Sequence, residues 1–249
     1  MAKTLILIPS RMAATRLPGK PLLKINNLSL VSHVFKRAEE ANIGEVVVAT
    51  EDQEILTDVL KNGGRAILTN SNHKTGTDRI FEAYKKLDIK NVDYILNLQG
   101  DEPDINKEDI INLNNLMVTE NAELGTLAAK IEDDKMLNNK NVVKVITDKK
   151  LVENNFPTAL NFTRDNPSID NQNIYHHIGI YSYKISALKK FVSLEQTSNE
   201  KINKLEQLRA LDNMLKINVA LARSSPIGVD TEEDYLAIKK IMEYKISNE

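Results

Sequence analysis

The sequence predicts an α/β protein built on a doubly wound, mixed sheet, and three observations carry that prediction. Short apolar runs at 5–8, 45–50, 66–68 and 94–98 read as parallel strands buried on both faces. Between them, apolar residues recur at helical spacing: Val31, Val34, Phe35 and Ala38, then Ile55, Leu56, Val59 and Leu60, then Ile80, Phe81, Tyr84 and Leu87. Turn-forming and charged residues gather directly after the strands, at the edge where open sheets of this kind bind ligands. A chain of 249 residues has room for one full core and a cleft.

Taken in order, the first strand runs into a basic, turn-rich loop that ends at Pro21. Ser29 is placed to cap the first helix, and Gly63-Gly64 to end the second. After the strand at 66–68, a loop over 69–76 leads to a helix from about Thr77, with Thr77 as a plausible cap. The strand at 94–98 carries Gln99-Gly100-Asp101-Glu102-Pro103 at its carboxyl end, and a helix over 107–117 and a strand over 125–131 follow. From Glu132 the rhythm changes. Residues 142–147 and 151–156, separated by Asp148-Lys149-Lys150, read as a hairpin, and 178–184 as a further strand, so the middle third is expected to be an antiparallel insertion. The Asn/Asp-rich stretch 164–173 is the nearest thing to a linker. A helix over 201–215, a strand over 217–222 and a final helix opened by Val229-Asp230-Thr231-Glu232-Glu233-Asp234 return the chain to the first layer.

Composition excludes several classes. With 33 Lys and Arg against 35 Asp and Glu, the net charge of −2 is not that of a nucleic-acid binder, so any positive patch must be local. The absence of cysteine rules out disulfides and thiolate metal sites and fits a reducing cytoplasm. His33, His73, His176 and His177 show no zinc spacing. The N-terminal apolar run is far too short for a signal-peptide core or a membrane span, so a soluble, cytoplasmic protein without membrane insertion is expected.

The loop after the first strand packs Arg11, Arg16 and Lys20 into ten residues, which calls for an anion. It is not a Walker A loop: Gly19-Lys20 is followed by Pro21, which has no N–H to offer a phosphate, and no glycine stands at the required spacing before it. Nor does it carry the Rossmann glycine fingerprint. It is therefore expected to grip a polyphosphate with long cations and backbone amides around residues 10–14. Asp101 and Asp230 each stand where a strand or turn gives way to a helix, and each alone reads as a cap or turn carboxylate. Together with a nucleoside triphosphate they suit Mg²⁺, which takes only one or two protein carboxylates. Glu102 reads as a neighbouring turn charge and Asp234 as a capping-box partner of Thr231.

The string IPSRMAATRLPGKP, from Ile8 to Pro21, resembles the signature loop of the 3-deoxy-manno-octulosonate (Kdo) cytidylyltransferase family, with Ser10 in place of the family's alanine. The segments QGDEP, HIGIY, LEQLR and GVDTEED are similar to further family motifs in the same order. The resemblance implies a Rossmann-like sheet of the nucleotide-diphospho-sugar transferase type in one domain over 1–249. Residues 1–131 and 216–249 would form the nucleotide-binding core, and 132–215 the sugar-binding and dimerisation lobe. It implies transfer of CMP from CTP to Kdo with release of pyrophosphate, for lipopolysaccharide synthesis, by a homodimer using Mg²⁺.

By the same resemblance Arg11, Lys20 and Asp101 are catalytic, and Asp101 and Asp230 hold metal. Pro9, Ser10, Arg11, Arg16, Lys20, Thr75, Gly76, Arg79 and Gln99 bind the nucleotide, with Thr75 and Arg79 reading the cytosine and bracing of the loop as the alternative role for Arg16. Gln99, Arg164, His177, Tyr181, Glu206 and Gln207 bind the sugar. One departure stands out: where the family usually reads Phe-Ser-Arg, two residues, then Ile-Pro, this chain has Phe162-Thr163-Arg164-Asp165-Asn166-Pro167-Ser168. Alternatives open at this point are a related acceptor, such as 8-amino-Kdo or a sialic-acid-like sugar, and a regulatory module that binds nucleotide without chemistry.

Overall fold

The apolar runs at 5–8, 45–50 and 94–98 become strands with mostly buried side chains, whereas 66–68 forms an edge strand in which Leu68 is exposed. A computed structural model describes residues 2–13, 16–167 and 173–246. The chain divides into two units, the first made of Lys3–Asn91, Asn97–Lys107 and Pro226–Glu249, the second of Met1–Ala2, Val92–Leu96 and Glu108–Ser225.

In the first unit, β1 (Thr4–Ser10) leads past a single 3₁₀ turn (Lys20–Leu22) to the short hairpin β2 (Lys24–Ile25) and β3 (Leu28–Ser29). Asn26 and Asn27 both take positive φ in its two-residue turn, the conformation that matches strand twist. Helix α1 (Leu30–Glu40) begins at the predicted cap: Ser29 Oγ accepts from the Ser32 N–H, and Val31, Val34, Phe35 and Ala38 are buried. β4 (Gly44–Thr50), α2 (Gln53–Lys61), β5 (Ala66–Leu68) and α3 (Gly76–Leu87) follow. β1, β4 and β5 pair in parallel. The cap of α3 is Thr75 rather than Thr77. Thr75 Oγ1 accepts from the Asp78 N–H at 3.2 Å, while Thr77 is already helical and buried.

The second unit opens with β6 (Tyr94–Asn97), α4 (Lys107–Thr119), β7 (Leu124–Ala129), α5 (Asp134–Asn138), β8 (Lys144–Thr147), β9 (Ala159–Thr163) and β10 (Ile174–Lys184). It closes with α6 (Ile185–Ser193), α7 (Ser198–Asn203), α8 (Leu208–Asp212) and β11 (Ile217–Leu221). β11 runs parallel to β7, β7 antiparallel to β10, and β10, β8 and β9 are antiparallel to one another in that order. The predicted α/β class with an antiparallel addition is thus what the strands form.

Two predicted elements differ. The partner of β8 is β9, not 151–156. That stretch folds into turns: Asn154 takes φ 65°, Asn155 Oδ1 accepts from the Val152 N–H at 3.0 Å, and Pro157 delays the strand until after it. The helix expected over 201–215 is broken into α7 and α8. Lys204 adopts a left-handed conformation, and the Leu205 N–H bonds back to the Glu200 carbonyl, a helix-ending arrangement usually built on glycine. Of the expected linker at 164–173, residues 168–172 lie outside the described residues, as does the Ser168 end of the departing segment.

Two returns complete the first unit. The Leu98 N–H bonds the Leu7 carbonyl at 3.1 Å, setting Gly100 so close to β1 that a Cβ there would lie 3.1 Å from the Pro9 carbonyl oxygen. Helix α9 (Glu232–Ile246) then buries Ile238 and Met242 against Ile25, Leu30 and Val229, with Leu17 and Leu23 packed on the same cluster. Among the described residues no helix is long and apolar enough to cross a membrane.

Candidate active site

The basic loop is anchored at both ends and in its middle. Leu17 packs into the cluster under α9, Gly19 takes φ 71°, open to glycine at little cost, and Pro21 is buried at the start of the 3₁₀ turn. At the other end the Met12 N–H donates to Asp52 Oδ2 at 2.7 Å. These anchors leave Arg11, Arg16 and Lys20 on the wall of a cleft of about 380 Å³ within the first unit. All nine predicted nucleotide contacts line this cleft (Pro9, Ser10, Arg11, Arg16, Lys20, Thr75, Gly76, Arg79 and Gln99), together with Asp101 and Asp230.

The two aspartates come together at one ammonium. Lys20 Nζ lies 2.7 Å from Asp101 Oδ2 and 3.4 Å from Asp230 Oδ1, and Arg16 Nη2 lies 2.9 Å from Asp230 Oδ2. Their segments are tied through the backbone, the Val229 N–H donating to the Asp101 carbonyl at 2.9 Å. Asp234 does what was expected of it: Oδ2 accepts from the Thr231 N–H at 2.8 Å, and Thr231 Oγ1 accepts from the Asp234 N–H. Arg11 is exposed on the wall and has no ion pair among the described residues.

Behind the cleft, charge is used to hold a loop. Arg79 is 3% exposed; its guanidinium donates to the Glu51 carboxylate, to Thr69 Oγ1 at 2.6 Å and to the Asn70 carbonyl at 3.4 Å. Glu82 bonds His73, Lys86 and the Asn70 N–H. Burial would raise its pKa, but these donors outweigh burial and hold it down to about 2. Thr75 Oγ1 is committed to Asp78, accepting from its N–H and donating to its carboxylate. The side chains of Thr75 and Arg79 therefore shape the wall through their own neighbours. Asp52 and Glu51, which position Met12 and Arg79, escaped the sequence reading. Their only signal is their place just past the carboxyl end of β4.

In the second unit, an aromatic run carries the residues expected at the sugar. Ring centroids are 5.0 Å apart for Phe162 and His177, 5.4 Å for His177 and Tyr181, 6.1 Å for Tyr181 and Tyr183, and 5.9 Å for Tyr183 and Phe191. Arg209 lies over Phe191, 4.7 Å from its centroid, and forms a buried two-bond pair with Glu200 at 2.8 and 2.6 Å. Its Nη2 is also 3.8 Å from Glu206 Oε1. Gln207 is buried at the start of α8. The Tyr181 hydroxyl is buried with no hydrogen-bond partner among the described residues. Burial, then Tyr183 and Glu206, push its pKa well up. His177 is held down to about 3, by burial first and then by His176.

The structure thus gathers His177, Tyr181, Glu206 and Gln207 in this unit, whereas Gln99 belongs to the first. Arg164 lies in the same unit with its groups engaged by backbone and lysine. Its Nη1 donates to the Lys140 carbonyl at 3.2 Å, and its own carbonyl accepts from the buried Lys144 at 2.7 Å.

A parallel β-sheet unit with a cationic loop after its first strand and two carboxylates converging at the same cleft defines a nucleotidyltransferase. Among solved structures with this fold is UDP-glucose pyrophosphorylase complexed with UDP-glucose, at a TM-score of 0.73 and 14% identity, covering 98% of this chain and 100% of that one. The chain belongs to the cytidylyltransferase family, whose pattern matches residues 5–217. It is 44% identical over 245 residues to the 3-deoxy-manno-octulosonate cytidylyltransferase of Rhodopseudomonas palustris (strain BisB18), covering 96% of this chain and 98% of the relative. The solved CMP:2-keto-3-deoxy-manno-octonic acid synthetase complexed with CTP is similar at a TM-score of 0.88 and 33% identity, covering 98% of this chain and all of that one.

Proposed function

We propose that this chain transfers CMP from CTP to the anomeric hydroxyl of Kdo, forming CMP-Kdo and pyrophosphate. The observation that carries the proposal is the meeting of Asp101, Asp230 and Lys20 in the cleft behind the cationic loop, in a chain 44% identical to a relative named for this activity. In the reaction the anomeric oxygen bonds to the α-phosphorus, the bond from that phosphorus to the pyrophosphate oxygen breaks, and the hydroxyl proton passes to solvent. Negative charge gathers on the phosphoryl oxygens, so the protein's work is positioning and charge stabilisation.

Each side chain has a part in that work. Lys20, only 13% exposed, is poised to turn from the aspartates to the leaving phosphates. Arg11 faces the triphosphate from the exposed rim. Arg16, paired with Asp230, keeps the loop and the C-terminal acid in register. Asp101 and Asp230 fit a divalent ion: both are oxygen donors converging on one cation, and among the described residues no larger acid or histidine cluster competes. When bound there, Mg²⁺ would neutralise the triphosphate and acidify a coordinated hydroxyl. The sugar acid is assigned to His177, Tyr181, Glu206 and Gln207, where the unpartnered Tyr181 hydroxyl offers a hydrogen bond.

We further place the enzyme in the cytoplasm as a homodimer supplying an activated sugar for lipopolysaccharide. Among the described residues β9 forms a ladder with β8 alone, and its other edge with exposed Leu160 is a natural surface for the contact.

Pyrophosphate release from CTP, Mg²⁺ and Kdo tests the reaction. Asp101→Asn should fold normally and lose turnover by roughly 10²-fold or more. Near-normal turnover in that variant would remove the metal role, and no release by the unaltered chain would remove the reaction.

A further inference from the structure

The strand β7 places Thr126 against the histidine of the sugar cluster. Thr126 Oγ1 has three neighbours: the Ile180 carbonyl at 2.6 Å, the Ile178 carbonyl at 3.3 Å and His177 Nε2 at 3.1 Å. The two carbonyls reach one hydroxyl because β10 shifts register against β7 between Ile178 and Tyr181. A threonine hydroxyl owns one hydrogen and two acceptor lone pairs. Carbonyl oxygens only accept, so that hydrogen is drawn to Ile180, the nearer of the two. Toward His177 the hydroxyl can then only accept, and Nε2 must be the nitrogen that carries the proton. In a neutral imidazole the other nitrogen, Nδ1, is then a bare acceptor.

We propose that Thr126 is a positioning residue that fixes His177 as its Nε2–H tautomer, so that Nδ1 reads a hydroxyl hydrogen of the sugar acid and not its carboxylate. The inference rests on the sugar site assigned above and deepens it. No hydrogen bond to Nδ1 is made among the described residues, and the ring is wedged edge-on against Phe162 and beside Tyr181. A ring locked this way contributes no positive charge to the pocket. It discriminates by demanding a donor, and an acceptor-only group at the same place would leave two lone pairs facing each other. The ligand's carboxylate must be met elsewhere.

Long-range ¹H–¹⁵N spectra of the full chain labelled in histidine read the tautomer directly, with the His177 signals assigned by their loss in His177→Gln. The proton is expected on Nε2; a proton on Nδ1 overturns the proposal, whether or not the chain turns over Kdo. Thr126→Val, which keeps the shape and removes the hydroxyl, should mix the two tautomers. It should raise the KM for Kdo about tenfold, with kcat and the KM for CTP unchanged. Thr126→Ser should restore both the spectrum and the KM, and it carries the comparison if the valine variant folds poorly. An unchanged Kdo KM in Thr126→Val with the ring still protonated on Nε2 also overturns it. Failure of the reaction itself shows separately, as absent pyrophosphate release in the unaltered chain.

Discussion

Around the cleft of the first unit, ionic side chains face one another at partly exposed positions: Arg16 and Lys20 against Asp101 and Asp230. Along the aromatic run of the second unit, the polar groups beside the rings are an imidazole held far below its usual pKa and a phenol held far above its own. On the function proposed above, the difference follows from the ligands. A triphosphate with a divalent ion needs charges that can be exchanged among partners, so the cleft keeps them paired and movable. A sugar rich in hydroxyls is told from its relatives by donors and acceptors in fixed places, so burial there removes charge and fixes direction. The buried two-bond ion pair of Glu200 with Arg209 lies against Phe191 of the run and braces it.

The largest effect that would sharpen this contrast is loss of the bridging ammonium. Lys20→Met should lower turnover by roughly 10² to 10³-fold, with the melting temperature little changed, since the aspartates it leaves are partly exposed. Steady-state kinetics beside thermal melting check this; a large fall in stability with turnover preserved would mean that Lys20 is a structural charge. In the second unit the reverse is expected. Glu200→Gln replaces the close two-bond countercharge of buried Arg209, leaving the longer contact with Glu206, and should cost about 3 kcal/mol of stability. Denaturant titration reads that cost. If the variant were as stable as the parent, the aromatic run would not depend on its ionic brace.

The smallest effect concerns pH. In an unfolded chain His177 titrates near 6.5, and in the folded protein near 3. Between those values the unfolded state binds the extra proton. The stability His177 contributes is therefore complete above about pH 6.5 and is lost as pH falls toward the folded value, by at most about 1.4 kcal/mol per unit. Denaturant midpoints from about pH 6.5 down to about 4 should fall less steeply in His177→Gln than in the parent, and equal slopes would contradict the burial of this ring.

The same contrast explains what could be read from the sequence. The strands and α1 were legible because runs such as Val46-Val47-Val48 and the cap Ser29 act locally. The cleft was legible because its loop concentrates like charges beside a strand, and charge shows in a sequence. Thr126 was not, because its role depends on a strand 51 residues away and on a shift in its register. Asp52 reaches Met12 across 40 residues and resembles any acid at the start of a helix. The break at Lys204 was hidden because Ile202, Leu205, Leu208 and Leu211 keep a helical spacing through it, and no glycine marks the turn. The partner of β8 was misread because 151–156 is near in sequence, whereas Pro157 postpones the true strand.

The bond from the Val229 amide to the Asp101 carbonyl has a consequence for how the molecule is made. Asp230 and the helix that covers Leu17 both arrive with the segment that starts at Pro226. A nascent chain that has already emerged through β6 holds the cationic loop but neither its second acid nor its apolar cover. The second acid of the cleft and the apolar cover of its loop are therefore both added by the segment from Pro226 onward, long after the loop itself has been made.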